Sequence, residues 1–524
     1  MLKDLIVEKG DVGIGIIGLG YIGLPLAIEL AEHFRVTGID VDADVINQLL
    51  GGESSIEGIP NERIGKAIQS ERLDLVIVDE EPTNTGAVTI EKLVGLHVFI
   101  VCVPTPLKAG NGWAPDLKYI DKARELIGRV CEMEASLNRL PEERLIVLES
   151  TSYPGTTKEV FEPLLDKYRD LVLRWYLAYS PERTNPGPHA YQRRETVKHG
   201  EERSAFQITR VVGGLDSHSV DVAYTLYKVI HDNVHPVTSL EAAEMVKLIE
   251  NTFRFVAIGF SNELSRIAKT FGLNVWELIT AAKSKDFGLE MCEPGLIGGH
   301  CLPIDPHYLG WALRKQRKIA DFIDVAEKSH EAMRQDALDL IQRLLNRNER
   351  GFAGSNILFL GVSYKKNVGD IRESAALGLI KKLHMSNAQV SFWDPVRAKH
   401  AIRRKPRINF SQSDYRALSE TRRNEIQTDS ESKRFFEPTE LKGSWEELRE
   451  RVLGKEFHCI VLATNHDAFR ECYEDIVSRT GGPPVADLAN CIPSWVDTLT
   501  DRDKADEIDR LLEQVNRYML LGVD

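Results

Sequence analysis

Residues 295–308 read GLIGGHCLPIDPHY. Two glycines and a histidine precede Cys301, and Pro303, Asp305 and Pro306 follow it closely. A run this rich in glycine and proline is neither a helix interior nor a central strand, so it is a shaped loop that displays a thiol. Most free cysteines are small buried hydrophobes. On such a loop the same residue is also a candidate nucleophile, whose chemistry is addition to an electrophilic carbon. Lys247 and Asn251, four residues apart in an apolar helical pattern, share one helix face. Pairs of this kind usually face solvent. Asp305 beside Pro306 suits a turn former, Glu182 before Arg183 a surface pair, and His300 a loop hydrogen-bonder as readily as a base. Thr105 and Thr151 close two strand-to-turn segments, where they are candidate ligand hydroxyls or plain turn and cap residues.

The elements that must position these groups begin at residues 13–40, GIGIIGLGYIGLPLAIELAEHFRVTGID. An apolar strand runs into the turn Gly18-Leu19-Gly20-Tyr21-Ile22-Gly23, a helix with Ala and Leu at helical spacing follows, and a second strand ends in Asp40. In that context the first glycine makes the tight turn, the second admits a pyrophosphate to the backbone, and the third lets helix and strand pack. The helix N-terminus supplies amide donors and Asp40 bonds a ribose diol, which favours NAD over NADP; a flavin or another nucleotide is the alternative on the same fold. Further strands lie at 97–106 and 144–157. An unbroken helical pattern spans 240–271, with a bend expected near Gly259. After a helix near 322–347, strands at 356–364, 389–395, 459–466 and 485–490 and a helix at 373–385 build a second α/β unit, whose ILFLGVSYK echoes GIIGLGYIG.

The expected fold class is therefore α/β, with two Rossmann-like doubly wound domains joined by a central helical domain. The boundaries are 1–215, 216–345 and 346–524, with a polar, weakly periodic surface insertion at about 396–441 that suits a linker, an interface or a regulatory site. A chain of 524 residues is long enough for such a division. The net charge of −13 disfavours a nucleic-acid or anionic-membrane partner, and the basic cluster Arg403-Arg404-Lys405-Pro406-Arg407 reads as solvated surface. The seven scattered cysteines include no CxxC pair, so neither a disulfide framework nor a metal site is expected. The N-terminus lacks a secretory pattern, and the uncharged run 12–28 is glycine-studded and shorter than the roughly 20 residues of a membrane span. A reducing cytoplasm is the expected address.

Taken together, GLGYIGLP (18–25), CVPTP (102–106), ESTSYPGTT (149–157), SPER (180–183), KLIENTFR (247–254), GGHCLPIDP (298–306) and GVSYKKNVGDIRES (361–374) resemble the nucleotide-sugar 6-dehydrogenases, in the family's order and over nearly the whole chain outside the insertion. The resemblance implies two successive NAD-dependent oxidations of a sugar C6 alcohol to a carboxylate. It makes Cys301 the nucleophile, with the glycines admitting substrate and the prolines holding the loop. It places Lys247 and Asn251 at the oxyanions, with Lys247 in proton transfer, and gives Asp305 the orienting of a water or of the lysine. Glu182 would serve thioester hydrolysis and Thr151 would help to hold the water. NAD would be bound by Gly18, Gly20, Tyr21, Ile22, Gly23, Asp40, Thr105, Thr151 and Arg372. The UDP-sugar would be bound by Glu182, Arg183, Lys247, Asn251, His300 and Lys365. Relatives that act on UDP-glucose typically carry serine before the nucleophile and a second glutamate after the SPE motif; here those places hold His300 and Pro186. These departures resemble the branch acting on UDP-N-acetylglucosamine, UDP-N-acetylmannosamine or UDP-N-acetylgalactosamine, with UDP-glucose second. Asp44 stands where relatives often carry a basic residue, which weakens adenosine binding slightly. The resemblance also implies a homodimer or higher homo-oligomer built on the long helix. Rival readings are a non-catalytic nucleotide-sensing protein, which would lack the nucleophile and its supporting Lys, Asn and Asp, and a hydroxyacid dehydrogenase making one hydride transfer without a cysteine.

Overall fold

The structure is a computed structural model. It describes residues 2–524 except 55, 57, 79–89, 109–112, 173, 185–189, 192–203, 286, 288–290, 397–406, 411, 429–433, 455, 470, 471, 473, 474, 477–482, 490–517 and 521–524. Pro186, Cys491 and residues 403–406 of the basic cluster lie outside the described residues. The chain divides into two compact units, Met1–Asn251 with His307–Ile319, and Thr252–Pro306 with Ala320–Asp524.

In the first unit, strands β1 (Gly13–Ile17), β2 (Arg35–Asp40), β3 (Leu73–Ile77), β4 (Val98–Val101), β5 (Glu143–Leu148), β6 (Arg174–Tyr179), β7 (Arg210–Gly214) and β8 (Val234–Pro236) form one sheet in the order β3-β2-β1-β4-β5-β6-β7-β8. All neighbours are parallel except β6 and β7. β1, β4 and β5 are buried along their whole length. That is why β1, β4 and the last four residues of β5 are continuous apolar runs, as in a parallel sheet covered on both faces. Leu24, Leu30 and Val36 belong to one apolar layer and Phe99, Ile127 and Phe161 to another. Strand order reverses between β1 and β4, and ligands bind beyond the carboxyl ends of strands at such a switch point.

The second unit holds a second parallel sheet, of β9 (Asn356–Leu360), β10 (Gln389–Trp393), β14 (Thr439–Glu440), β15 (Cys459–Leu462), β16 (Val485–Asp487) and β17 (Tyr518–Leu520), in the order β14-β10-β9-β15-β16-β17. The polar stretch expected as an irregular insertion is partly folded: β11 (Ile408–Phe410), β12 (Gln427–Thr428) and β13 (Arg434–Phe436) make a small antiparallel sheet, and β14 lengthens the main one. Strands of two or three residues are too short for an alternating pattern to register in sequence.

The helix Leu240–Thr270 runs unbroken for 31 residues. Gly259, read as a bend, is instead where the helix Asp321–Asn346 crosses: a Cβ there would lie 3.0 Å from the Ala326 Cβ and 3.1 Å from its Cα. Among the described residues no helix is long and apolar enough to cross a membrane.

Candidate active site

At the β1 turn, Gly18 has φ +95°, and a Cβ on it would stand 2.7 Å from the Cys102 carbonyl oxygen. A Cβ on Gly23 would stand 1.9 Å from the Gly18 oxygen, so the helix Gly23–Ala31 can start only against a bare glycine. Gly20 has nothing within 4 Å, which leaves its backbone open to a phosphate at the helix N-terminus. Tyr21 and Ile22 complete the turn, and the Tyr21 carbonyl accepts a hydrogen bond of 2.6 Å from the Tyr191 hydroxyl. One Asp40 oxygen accepts the Leu19 amide at 2.7 Å and the other the Asp42 amide at 3.0 Å. The carboxylate is thereby fixed at the end of β2, where a ribose diol is bonded. Thr105 is buried, and its carbonyl accepts the Tyr308 hydroxyl.

The second-unit counterpart of this turn is closed. Gly361 follows β9 with φ +84°, and Asp394 ends just past β10 as Asp40 ends β2. One Asp394 oxygen takes the Val362 amide at 2.9 Å, the Ser363 amide at 3.1 Å and the Ser363 hydroxyl at 2.9 Å, and buried His466 lies 3.4 Å from it. Asp394 is itself buried, so the echo seen in sequence is an echo of fold and not of a second ribose site.

Around SPER the first unit carries a network that sequence did not single out. Arg210, buried on β7, donates to Glu182 Oε2 at 2.8 Å, to the Ser180 hydroxyl at 2.7 Å and to the Ser180 carbonyl at 3.2 Å. It also pairs with buried Glu149 at 2.5 Å and lies over the Tyr227 ring. Glu182 Oε1 takes the Arg183 and Thr184 amides, each at 2.7 Å, and the Thr184 hydroxyl. Burial alone would raise the Glu182 carboxyl, but the Arg210 charge and the Thr184 hydroxyl hold it down at about 2. Burial drives the Glu149 carboxyl up, against the pull of Arg210. The Arg183 guanidinium bonds Glu250 at 2.8 Å and the Thr209 carbonyl at 2.7 Å. Lys247 Nζ donates to the Glu182 carbonyl at 2.6 Å, and Asn251 follows one turn on, largely buried. Thr151 is half-buried, while the neighbouring Ser152 hydroxyl is wholly buried with no hydrogen-bond partner among the described residues.

In the second unit Cys301 is half-buried, and its carbonyl accepts the Ile304 amide at 3.0 Å and the Asp305 amide at 2.8 Å, starting the helix Asp305–Lys315. Asp305 is buried and His300 half-buried. Two glycines of this loop are packed against the chain, a Cβ on Gly298 standing 2.9 Å from the Tyr364 Cβ and 3.0 Å from the Glu373 carbonyl oxygen, while Gly295 has nothing within 4 Å. Gly299 has φ +88°, its amide donates to the Arg372 carbonyl at 3.1 Å, and a Cβ on it would stand 2.8 Å from Tyr364 ring carbons. The loop is thus seated on the GVSYKKNVGDIRES segment that carries Lys365, which is half-buried. Arg372 is gripped by Asp370, Nε at 2.9 Å and Nη2 at 2.6 Å.

The NAD binding, central and UDP binding domains of the UDP-glucose/GDP-mannose dehydrogenase family match residues 12–231, 241–332 and 358–494. The chain belongs to this family. It is an NAD-dependent oxidoreductase with the family's NAD-binding domain, and the glycine turn and Asp40 fit that cofactor. The chain is 34% identical over 385 residues to the UDP-N-acetyl-D-mannosamine dehydrogenase of Methanococcus maripaludis, covering 72% of this chain and 79% of the relative. It is 29% identical over 389 residues to the UDP-N-acetyl-D-glucosamine 6-dehydrogenase of Pseudomonas aeruginosa, covering 74% and 83%. The solved UDP-D-ManNAc dehydrogenase from Pyrococcus horikoshii superposes with TM-score 0.70 at 28% identity over 92% of this chain and 96% of that one.

Proposed function

We propose that the protein oxidises the C6 hydroxyl of a UDP-N-acetylhexosamine, UDP-N-acetylmannosamine or UDP-N-acetylglucosamine, to the uronic acid, with UDP-glucose the second choice. The observation that carries this reading is a half-buried cysteine on a loop seated against Tyr364, in a chain whose relatives bear those names. His300 beside the nucleophile supports the N-acetylhexosamine branch.

When bound, NAD accepts a hydride in each of two oxidations. Loss of a hydride and a proton from the C6 alcohol leaves an aldehyde. The Cys301 thiolate adds to its carbon to give a thiohemiacetal, and loss of a second hydride and proton gives a thioester, which water cleaves to the acid and the free thiol. Lys247 and Asn251 donate to the developing oxyanions, and Asp305 orients the water or the lysine. Glu182, held at about 2 with both oxygens bonded, is a poor proton acceptor near neutrality. Its part in hydrolysis is to anchor Lys247 through its carbonyl. The Thr151 and Ser152 hydroxyls hold the water. Lys365 bonds the UDP phosphates, Arg183 with Glu250 braces the substrate side, and Arg372 reaches toward NAD.

Of the expected domains 1–215, 216–345 and 346–524, the first boundary would cut the first sheet between β7 and β8, so it belongs beyond Pro236. Phe253, Phe260 and Ile267 recur at heptad spacing on one face of the long helix and are exposed, which supports a homodimer built on that face. The free thiols of Cys102, Cys131, Cys292, Cys301, Cys459 and Cys472 fit a reducing cytoplasm. The test is to offer NAD with each UDP-N-acetylhexosamine and with UDP-glucose and to count NADH per sugar. Two per N-acetylhexosamine support the reading; turnover of UDP-glucose alone moves the substrate, and one NADH per sugar contradicts the four-electron reaction.

A further inference from the structure

Glu244 is a fully buried carboxylate on the helix Leu240–Thr270, one turn before Lys247. Its Oε2 accepts the Gly155 amide at 2.6 Å, and its Oε1 accepts the Thr157 amide at 2.8 Å and the Thr157 hydroxyl at 2.6 Å. Gly155, at φ +100°, caps the helix Thr156–Lys167 without a side chain of its own, so Glu244 supplies from another element the acceptor that the first amides of a helix need. Thr151 and the unpartnered Ser152 hydroxyl lie a few residues upstream in the same loop. Tyr153, between them and Gly155, is tied down separately, its hydroxyl 2.5 Å from Glu159 and its ring 4.8 Å from that of Trp311. A single side chain therefore joins the loop of hydroxyls to the helix that presents Lys247 and Asn251. A buried carboxyl that accepts three hydrogen bonds from one loop ties that loop to the helix, which an apolar side chain of the same size could not do.

We infer that Glu244 is a positioning residue for the hydrolytic half of the reaction: it fixes the loop that carries the Thr151 and Ser152 hydroxyls against the helix that carries Lys247. The inference rests on the dehydrogenase reading above. Cys301, Lys247, Asn251 and the cofactor serve both oxidations, and the side-chain bonds of Glu244 go instead to Gly155 and Thr157 of the loop, whose Thr151 and Ser152 hydroxyls serve the cleavage of the thioester.

The experiment is a rapid-mixing record of NADH formation by wild type, Glu244→Gln and Thr157→Val with NAD and the turned-over UDP-sugar. Gln keeps the shape of Glu but turns an NH₂ toward a donor, and Thr157→Val removes one of the three donors from the other side. The expected result for Glu244→Gln is an initial NADH phase within about three-fold of wild type and a steady-state rate roughly ten-fold lower, with Thr157→Val shifted the same way by less. Acid-quenched enzyme would carry correspondingly more substrate on Cys301. Initial and steady-state phases that fall together, or a steady state that does not fall, overturn the inference. Should Glu244→Gln fail to fold, Thr157→Val decides by the same ratio. Absence of NADH from wild type with every UDP-sugar is failure of the dehydrogenase reading, and hydrogen exchange of residues 149–157 then decides the clamp: exchange in Thr157→Val no faster than in wild type overturns it.

Discussion

Replacing Gly299 by alanine tests whether the thiol loop is set by its seat on the C-terminal half. Gly299 has φ +88°, for which an L-residue is penalised by roughly 1–2 kcal/mol. The new methyl would lie 2.8 Å from Tyr364 Cδ2 and Cε2, well inside contact distance. Overpacking of this kind typically costs about 1–3 kcal/mol. Together these give about 2–5 kcal/mol, charged either to the whole fold or to the loop alone. If the loop yields, Cys301 is displaced and kcat falls by roughly thirty-fold or more, since 1.4 kcal/mol is a factor of ten. If the fold yields, the urea midpoint drops instead. Both are therefore measured, NADH rate at saturating substrate and equilibrium unfolding. Adding Tyr364→Ala to Gly299→Ala removes the overlap but not the backbone strain, so the double variant should recover part of what the single one loses, judged against Tyr364→Ala alone. Wild-type kcat and midpoint in Gly299→Ala would refute the seating argument. Full recovery in the double variant would refute the strain part of it.

Arg210→Met strands two carboxylates, and breaking such a buried pair should lower stability by about 3–5 kcal/mol in equilibrium unfolding. Because Glu182 is held at about 2, below its ordinary value, its stabilisation is present above pH 4.5 and lost as pH falls through about 2. Arg210→Met should flatten that part of the acid-unfolding profile. Glu244 shifts the other way: burial holds it up at about 7 against the hydrogen bonds from Thr157 and Gly155, so its contribution is fully present below pH 4.5 and is lost as pH rises through about 7. By linkage this is worth up to about 3 kcal/mol, and Glu244→Gln should make the melting temperature less sensitive to pH across that window. Phe260→Asp should shift the sedimentation coefficient of the protein from dimer to monomer, and an unchanged value would contradict the proposed helix-face interface.

The nucleotide turn was legible because its glycines, helix and terminal acid are local, all within residues 13–40, and each answers to a short-range steric or hydrogen-bonding demand. The apolar runs of β1, β4 and β5 and the unbroken pattern of residues 240–270 were legible for the same reason. Arg210, Glu149 and Glu244 were not, because a buried charge has no periodic signature and its partners are far away in sequence; Glu244 bonds Thr157 across 87 positions. The thiol loop was recognised from its residue types, but the reason for its glycines was not. That reason is the Tyr364 ring, 65 positions along the chain. Ser152 was passed over in favour of Thr151 because neighbouring hydroxyls look alike until burial separates them.

The central claim is that Cys301 carries the sugar as an acyl group. Wild-type enzyme quenched in acid during turnover with NAD and its UDP-sugar, then digested, should yield the peptide around residue 301 with a mass gain equal to the substrate less four hydrogens, the balance of two hydrides and two protons. Cys301→Ala should show neither that gain nor uronic acid. Uronic acid formed at the wild-type rate by Cys301→Ala, or turnover with the peptide unmodified under every quench, would contradict the account.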